Sequence, residues 1–407
     1  MKILFVDSLS NQVTEAARDI YKSQKCTIDI AIPSSLPGIT RRERFKSRYI
    51  DRVYKIASPV SNFDIFKTDL LDILNEGAYD AVLPFGYKTT VALSMIKSDI
   101  TALSSIFIAD KDIVMKVHDK YMLAVTLRNA GFDVPKIYEK NDIYSLADCI
   151  NYPVVIKARK ASGVEKAVRY ANNHEQLHFS FGEIASQVSA NQDIDDFSDP
   201  LVQEYVQGDI YDGLFLCDNG SVLASMAQKR DIVYPSSGGV GVEVSSVFDP
   251  IFIQYCSDIL YFLNWTGPCQ VEAIKDIKTG RYKLIEINPK LWGTLGCSIH
   301  AGINFALLSV LKAQNIDFNV KNDYKATRYA IIFPMFVNSL VNIRERRFRR
   351  VVLMLYHILT GRVHTELSIL DPAPNIVRIA DSIFEVVFKR SSRILKSDFN
   401  NTLQGRH

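Results

Sequence analysis

The chain has 407 residues, 47% of them hydrophobic and 23% charged, with a net charge of +3. That length calls for two or three domains rather than one core, and the composition excludes wholesale disorder. A charge balance this close to neutral does not mark a nucleic-acid binder, so no nucleic-acid partner is expected.

The opening "MKILFVDSLS" has an apolar run that ends at Asp7, shorter than a signal peptide needs, and it reads as a first buried strand. A helix-like segment begins near Asn11, "CTIDIAIP" is a second strand and "YDAVLPFG" (79–86) a later one. Strands alternating with helices predict a parallel sheet wound in the Rossmann manner. The G-x-G-x-x-G fingerprint is missing, so no dinucleotide site is assigned there. From Asp119 the texture changes. "DKYMLAVTLRNAGFDVP" predicts a helix that stops at Gly131 and a strand entered at Pro135. "YPVVIKAR" (152–159) is a strand ending in basic residues, and "NQDIDDFSDP" is a polar loop. "PLVQEYVQGDIYDGLFLCDNGSVLASMAQKR" reads as consecutive strands with turns at Gly208 and at Asn219-Gly220. After Phe305 a helical region leads into a basic part containing "RERRFRRVVLMLYHIL".

No apolar stretch approaches the ~20 residues of a membrane-spanning helix, and the nearest, "YAIIFPMFV", is broken by Pro334. The six cysteines (Cys26, Cys149, Cys217, Cys256, Cys269 and Cys297) never form C-x-x-C. Neither a zinc knuckle nor a disulfide framework is suggested, so a reducing, cytoplasmic compartment is expected.

The chemistry concentrates late in the chain. "CQVEAIKD" (269–276) and "RYKLIEIN" (281–288) alternate, and "IKTG" between them predicts a hairpin through Thr279-Gly280. A period of two places Leu284, Glu286 and Asn288 on one face, and a turn about Thr279 sets Glu272 opposite Glu286. Like charges facing each other destabilise a strand pair by about 0.2–1 kcal/mol. A cation between them removes that cost, and oxygen ligands of this kind suit Mg²⁺ or Mn²⁺ rather than zinc. On spacing alone, a solvated face with two incidental glutamates accounts for the pattern equally well. A slip of one residue would put the two on opposite faces.

The neighbouring motifs add a family resemblance. "LIEINPKLWGTLGCSIHAGINF" resembles the E-I-N-P-R-F-W-G-S signature of ATP-grasp enzymes, especially their carboxylate–amine ligase-like branch. "SMAQKRDIVYPSSGGVGVEVSSV" resembles that branch's H-R-R-x-R-x-Y-P-P-S-G-G segment, and "YPVVIKAR" and "LVQEYVQGD" are similar to its lysine strand and adenine-hinge strand. The order Lys120, Lys157, Glu204, Arg230, Glu272, Glu286, Asn288 is the family order.

The fold this resemblance implies is an α/β N-terminal Rossmann-like (pre-ATP-grasp) domain over 1–113, an α+β ATP-grasp domain of two lobes over 114–320, and a helical, basic C-terminal extension over 321–407. The implied activity is ATP-dependent activation of a carboxylate as an acyl phosphate, which an amine attacks with release of ADP and phosphate. The resemblance implies Glu272, Glu286 and Asn288 as the ligands of two Mg²⁺ (or Mn²⁺) ions, with Glu286 bridging. Lys120 and Lys157 would meet the phosphates, and the glycine-poor loop with Ser162 and Gly163 would cover them. Glu204, Tyr205 and Val206 would form the adenine hinge, and Asp209 or Asp212 would bind the ribose. Arg230 would meet the transferring phosphate and carboxylate. Lys290 stands where the family usually has Arg, a point charge in place of a fork. The partners implied are a small-molecule, peptide or glycan carboxylate and an amine, and a homodimer is left open. Segment 344–359 reads either as a surface helix touching anionic lipid or as a helix packed on the body with its arginines solvated. The thinned glycine loop and Lys290 also leave a second reading, a nucleotide-binding scaffold of the same fold without turnover.

Overall fold

The structure is a computed structural model that describes residues 1–34, 46–139, 143, 150–161, 168–234, 240–320, 323–332, 352 and 356–377. Strands β1 (Lys2–Val6), β2 (Thr27–Pro33), β3 (Val53–Ile56), β4 (Ala81–Pro84) and β5 (Ser105–Ile106) form a parallel sheet of order β3-β2-β1-β4-β5. β1 is apolar throughout its buried length because both its faces are covered. Ile3 and Phe5 pack under the helix Asn11–Gln24, through Val13, Ala16, Ala17 and Ile20. Leu4 and Val6 pack on the other side, under helices Phe63–Gly77 and Tyr87–Met95. The strand order reverses between β1 and β4, so the chain leaves the carboxyl ends of these neighbours in opposite directions. Asp7 follows the first and Gly86 the second.

A small antiparallel sheet comes next: β6 (Ile137–Tyr138), β7 (Val154–Lys157), β8 (Val168–Ala171) and β9 (Leu201–Glu204), in the order β6-β9-β7-β8. Helix His174–Ala185 covers it, and Ile156, Ala171, Leu177, Ile184 and Val202 give it a core of its own. The large sheet comprises β10 (Gly208–Asp218), β11 (Ser221–Tyr234), β12 (Val240–Val247), β13 (Gly267–Asp276), β14 (Tyr282–Asn288), β15 (Arg328–Ala330) and β16 (His364–Thr365). Its order is β14-β13-β10-β11-β12-β15-β16. Two apolar clusters run unbroken from the parallel sheet into this large one. One joins Leu4, Val6 and Val91 to Val271, Ala273 and Ile287, and the other joins Ile3 and Phe5 to Leu214, Trp292 and Phe305. The two large sheets therefore form one body, and the small sheet stands on a separate core.

Asn219 (φ 47°) and Gly220 (φ 79°) make the expected two-residue turn between β10 and β11, where positive φ at both positions matches the twist of a hairpin. Gly208 is a correction. It is the first residue of β10 rather than a turn, and it pairs with Asp276 of β13. A Cβ there would lie 2.0 Å from the Lys275 carbonyl oxygen, so close backbone approach is what requires glycine. The part expected to be a helical extension enters as strand. β15 pairs with the edge of β12, and β16 pairs with β15. Tyr329, wholly buried with its hydroxyl on Glu15, anchors that addition. Helical residues follow at 356–359 and 373–377, and most of 344–359 lies outside the described residues. Among the described residues no single helix is long and apolar enough to cross a membrane.

Replacing Gly208 by alanine should force β10 away from β13. The expected cost is about 1–3 kcal/mol, read as a lower urea midpoint with an unchanged denaturant slope.

Candidate active site

β10, β13 and β14 lie side by side, and one rung crosses all three. Asp212 is paired with Glu272, and Glu272 with Glu286, as the hairpin expectation required. Gln228 of β11 continues the rung past Asp212. The expectation for Leu284 fails. The register passes from Glu272↔Glu286 to Ala273↔Leu284, leaving Ile285 as an extra residue. A bulge shifts the phase of alternation by one residue. Leu284 therefore turns into the core with Val271, Ala273 and Ile287, while Glu286 and Asn288 keep the face of Glu272.

Three carboxylates on one rung demand cations. Arg230, two residues beyond Gln228 on the same strand, supplies the first. Its Nη2 lies 2.6 Å from Asp212 Oδ1 and 2.6 Å from Glu272 Oε2, and its Nε donates to Asp212 Oδ2 at 3.0 Å. Both carboxylates hold the guanidinium well above its ordinary range, outweighing the opposing effect of burial. Gln228 links this pair onward. Its Nε2 donates to Asp212 Oδ2 (3.0 Å) and to Thr294 Oγ1 (2.8 Å) in the turn after the signature strand. Asp212 is buried and paired with Arg230, whereas Asp209, the other residue expected at the ribose, is exposed.

Lys120 and Lys157 bring charge from the other side. Asp119 caps the helix Lys120–Asn129 by accepting from the Tyr121 and Met122 amides, and it also clamps Arg159 at 2.8 Å. The Lys120 amide donates to the Arg159 carbonyl, so the helix start and the end of the β7 strand are fastened together. Lys120 Nζ then donates to the Ala161 carbonyl at 2.8 Å and sits 3.7 Å from Glu286 Oε2. Lys157 closes β7. Burial lowers its ammonium to about 8, with Glu286 pulling the other way and Lys120 adding to the drop. Burial raises Glu286, but Lys120 and Lys157 outweigh it and hold that carboxylate below its ordinary range. Burial raises Glu272, Arg230 opposes, and the Glu286 and Asp212 charges add to the rise.

Asn288 Nδ2 lies 2.9 Å from Glu272 Oε1 and 3.2 Å from Glu286 Oε1, so a hydrogen-bond donor already sits between the two carboxylates. Two carboxylates and a carboxamide with converging heads are a hard-oxygen donor set that fits Mg²⁺ or Mn²⁺. The third member is an amide. Among the described residues, no group of three or more His, Cys, Asp or Glu side chains is arranged to hold a metal.

The remaining predicted residues are spread around this centre. Lys290 follows β14, half-buried, and burial lowers its ammonium against the pull of Glu272, Glu286 and Asp7. Glu204 ends β9. Its Oε1 accepts from the Lys136 amide (3.0 Å) and from Lys283 Nζ (2.6 Å), so this oxygen fastens the segment in place. Tyr205 is exposed, edge-on to Tyr170, and Val206 is buried. Asp209 lies in β10 rather than in a turn and pairs with Lys229 at 2.6 Å. Ser162, Gly163 and the "PSSGG" stretch lie outside the described residues.

Two participants escaped the sequence reading. Asp212's bond to Arg230 was hidden because the sequence does not show which strand pairs with which. Asp7 read as the end of a strand, and the tertiary fold buries its carboxyl and raises it to about 6, with the Ser8 amide and the Lys290 charge opposing.

Residues 196–332 match the family described as "ATP-grasp in the biosynthetic pathway with Ter operon". That match covers about a third of the chain. Among solved structures it is similar to the biotin carboxylase domain of Hydrogenobacter thermophilus 2-oxoglutarate carboxylase, in complex with MgADP, ADP and bicarbonate (15% identity, 80% of this chain and 72% of that one, TM-score 0.63). It is also similar to an L-amino acid ligase from Bacillus licheniformis (14% identity, 77% and 74%, TM-score 0.57). A third likeness is N5-carboxyaminoimidazole synthetase from Staphylococcus aureus complexed with ADP (13% identity, 80% and 79%, TM-score 0.58). At these identities the likeness is one of fold. No curated protein matches the sequence.

Replacing Asp212 by alanine should leave the buried Arg230 guanidinium with one carboxylate instead of two. The expected loss is about 3 kcal/mol, measured by chemical denaturation, and it should exceed that of Asp209→Ala, whose pair with Lys229 is exposed.

Proposed function

We propose that this protein is an ATP-dependent carboxylate–amine ligase of the ATP-grasp type, and the observation that carries the proposal is the single rung of Asp212, Glu272 and Glu286 ringed by Arg230, Lys120, Lys157 and Lys290. Phosphoryl transfer asks a protein chiefly for alignment and charge neutralisation. A carboxylate oxygen of the substrate attacks the γ-phosphorus of ATP and ADP departs with the electrons of the broken P–O bond. An amine then attacks the acyl carbon, phosphate leaves, and the amine's proton passes to solvent. Glu272, Glu286 and Asn288 would hold Mg²⁺, which supplies charge neutralisation on the phosphate oxygens when bound. Lys157 and Lys120 contribute ammonium groups to the phosphates from the side of the small sheet. Arg230, kept ionised and oriented by Asp212, presents its fork to the developing acyl phosphate, and Lys290 offers a point charge to the carboxylate. The segment from Glu204 to Val206, fixed by Lys283, would receive the adenine. The separate core of the small sheet allows that lobe to close over the nucleotide as a unit. The L-amino acid ligase and the N5-carboxyaminoimidazole synthetase carry related chemistry in their names, which supports the same reading.

Calorimetric binding of a non-hydrolysable ATP analogue with magnesium tests this. Wild type should bind in a magnesium-dependent manner and Glu286→Gln should bind at least tenfold more weakly. Equal binding by both proteins, or none by a folded wild type, would overturn the reading.

The lowered Lys157 ammonium adds a pH signature. Free of ligand it loses its proton as pH rises through about 8. Polyphosphate beside it favours the charged form and raises its pKa. Nucleotide binding at pH about 8.5 should then take up protons, seen as a dependence of the binding heat on buffer ionisation enthalpy. Lys157→Arg, protonated throughout this range, should lack that uptake.

A further inference from the structure

The turn at residues 368–371 carries aliphatic side chains where turns usually carry polar ones. The Asp371 amide donates to the Ser368 carbonyl at 3.3 Å, and the residues between are Ile369 and Leu370, 97% and 61% exposed. Glycine, asparagine, aspartate and serine are the ordinary occupants of such positions, because they hydrogen-bond locally or tolerate the backbone geometry. Leu367 and Ile376, on either side of the turn, are exposed as well. A single exposed leucine needs no explanation. Four aliphatic side chains close together in sequence, all facing water, mark a contact surface.

The tip is held in place from behind. Asp371 is buried, accepts from Ser47 Oγ at 2.5 Å and from the Arg48 amide at 3.0 Å, and lies 3.8 Å from Arg18 Nη2. Its charge therefore faces inward. Arg48 Nη1 donates to the Leu370 carbonyl at 3.4 Å, which sets an exposed guanidinium against the tip. A surface fixed before it binds loses little freedom on binding.

Aromatic rings and cations continue the surface from there. The Arg48 guanidinium lies 5.8 Å from the Tyr49 ring centre, and Tyr49 packs against Tyr21 with centroids 5.3 Å apart. Lys25 Nζ stands 5.3 Å over the Tyr21 ring, and Lys22 is exposed in the same last turn of the helix Asn11–Gln24. Lys25 precedes β2 and Tyr49 precedes β3, so both lie at the amino ends of these neighbouring strands. The stretches 21–25, 46–50 and 367–370 contain no Asp or Glu. Asp51, the next acid along, accepts from the Ile28 amide.

An aliphatic tip, tyrosines at its base and cations beside it match the layers of a bilayer surface in turn. Aliphatic groups suit the acyl boundary, tyrosines the headgroup level, and lysine and arginine the anionic phosphates. A nucleic acid would use the cations and leave Ile369 in water. A second copy docked through the same patch would bring Lys22, Lys25 and Arg48 against like charges.

We propose that this face docks the protein on an anionic lipid surface, with Ile369 and Leu370 entering the headgroup boundary and Lys22, Lys25 and Arg48 meeting lipid phosphates. None of these residues belongs to segment 344–359. The carboxylate rung lies on β10, β13 and β14, so docking here stands apart from the ligase reading.

Cosedimentation of the full chain with vesicles tests this, using phosphatidylcholine alone and equal parts phosphatidylcholine and phosphatidylglycerol. Wild type should bind the mixed vesicles at least tenfold more tightly, and added salt should weaken that binding. Ile369→Ser with Leu370→Ser, and separately Lys22→Glu with Lys25→Glu, should each lower it at least tenfold at unchanged thermal stability. Both native tryptophans are buried, so one placed at the tip reports its own surroundings. Emission from Ile369→Trp should shift blue on the mixed vesicles. Emission from Val188→Trp, at an equally exposed position beyond the helix His174–Ala185, should not.

Equal binding to both kinds of vesicle overturns the inference, and so does tight binding that survives both pairs of substitutions. Failure to bind the mixed vesicles overturns it too. In that case a dimer lost in the Ile369, Leu370 pair would assign the tip to a second copy, and retention on heparin would assign the cations to a soluble polyanion. Should a paired variant fail to fold, Ile369→Ser alone must weaken vesicle binding or the inference falls.

Discussion

Three carboxylates on adjacent strands of one sheet repel each other, and much of the architecture around them can be understood as an answer to that repulsion. Asp212, Glu272 and Glu286 occupy one rung across β10, β13 and β14. Arg230 bridges the first two, Asn288 bridges the last two, and Lys120 approaches the outer edge. Each compensating group comes from a different element. Arg230 is on β11 and Lys120 opens a helix clamped to the β7 strand, while Lys157 ends that strand and Lys290 follows the signature. The cluster cannot form until the large sheet, the small sheet and the connecting helix are assembled together. Electrostatic balance thus couples the lobes that a nucleotide would join.

The same balance separates what is rigid from what can adapt. Asp212 and Arg230 are buried, tied to Gln228 and Thr294, and backed by apolar clusters that run through both large sheets. Lys157 rides on the small sheet, whose core is its own. Relative motion of the small lobe would change the distance between Lys157 and Glu286 while leaving Arg230 and Glu272 in register. Were the proposed ligase reaction to run here, admitting a nucleotide, excluding water and releasing product would all gain from this division.

Lys120, Lys157 and Glu204 were legible as positions in the sequence because Lys120 opens a helix and the other two end strands, where periodicity and punctuation are clear. Glu272 and Glu286 followed from one hairpin with a short turn, and their register held. The error at Leu284 came from a bulge at Ile285, which nothing in an alternating pattern betrays. Gly208 was mistaken for a turn because glycine is equally needed where two backbones touch. The pairing of Asp212 with Arg230 was not legible because Arg230 lies on a neighbouring strand, brought close by a hydrogen-bond ladder rather than by sequence proximity.

The sequence by itself determined the alternation of strand and helix at the start, the hairpin that pairs two glutamates, and the set of basic residues that accompanies them. Local rules suffice for these, since side-chain period and turn chemistry act over a few residues. Only the tertiary structure decided that Asp212 and Arg230 share a bond, and that strands rather than helix begin the described part after residue 320. Each of those depends on contacts between segments tens to hundreds of residues apart. Such contacts are set by the packing of whole sheets, which no short stretch of sequence encodes.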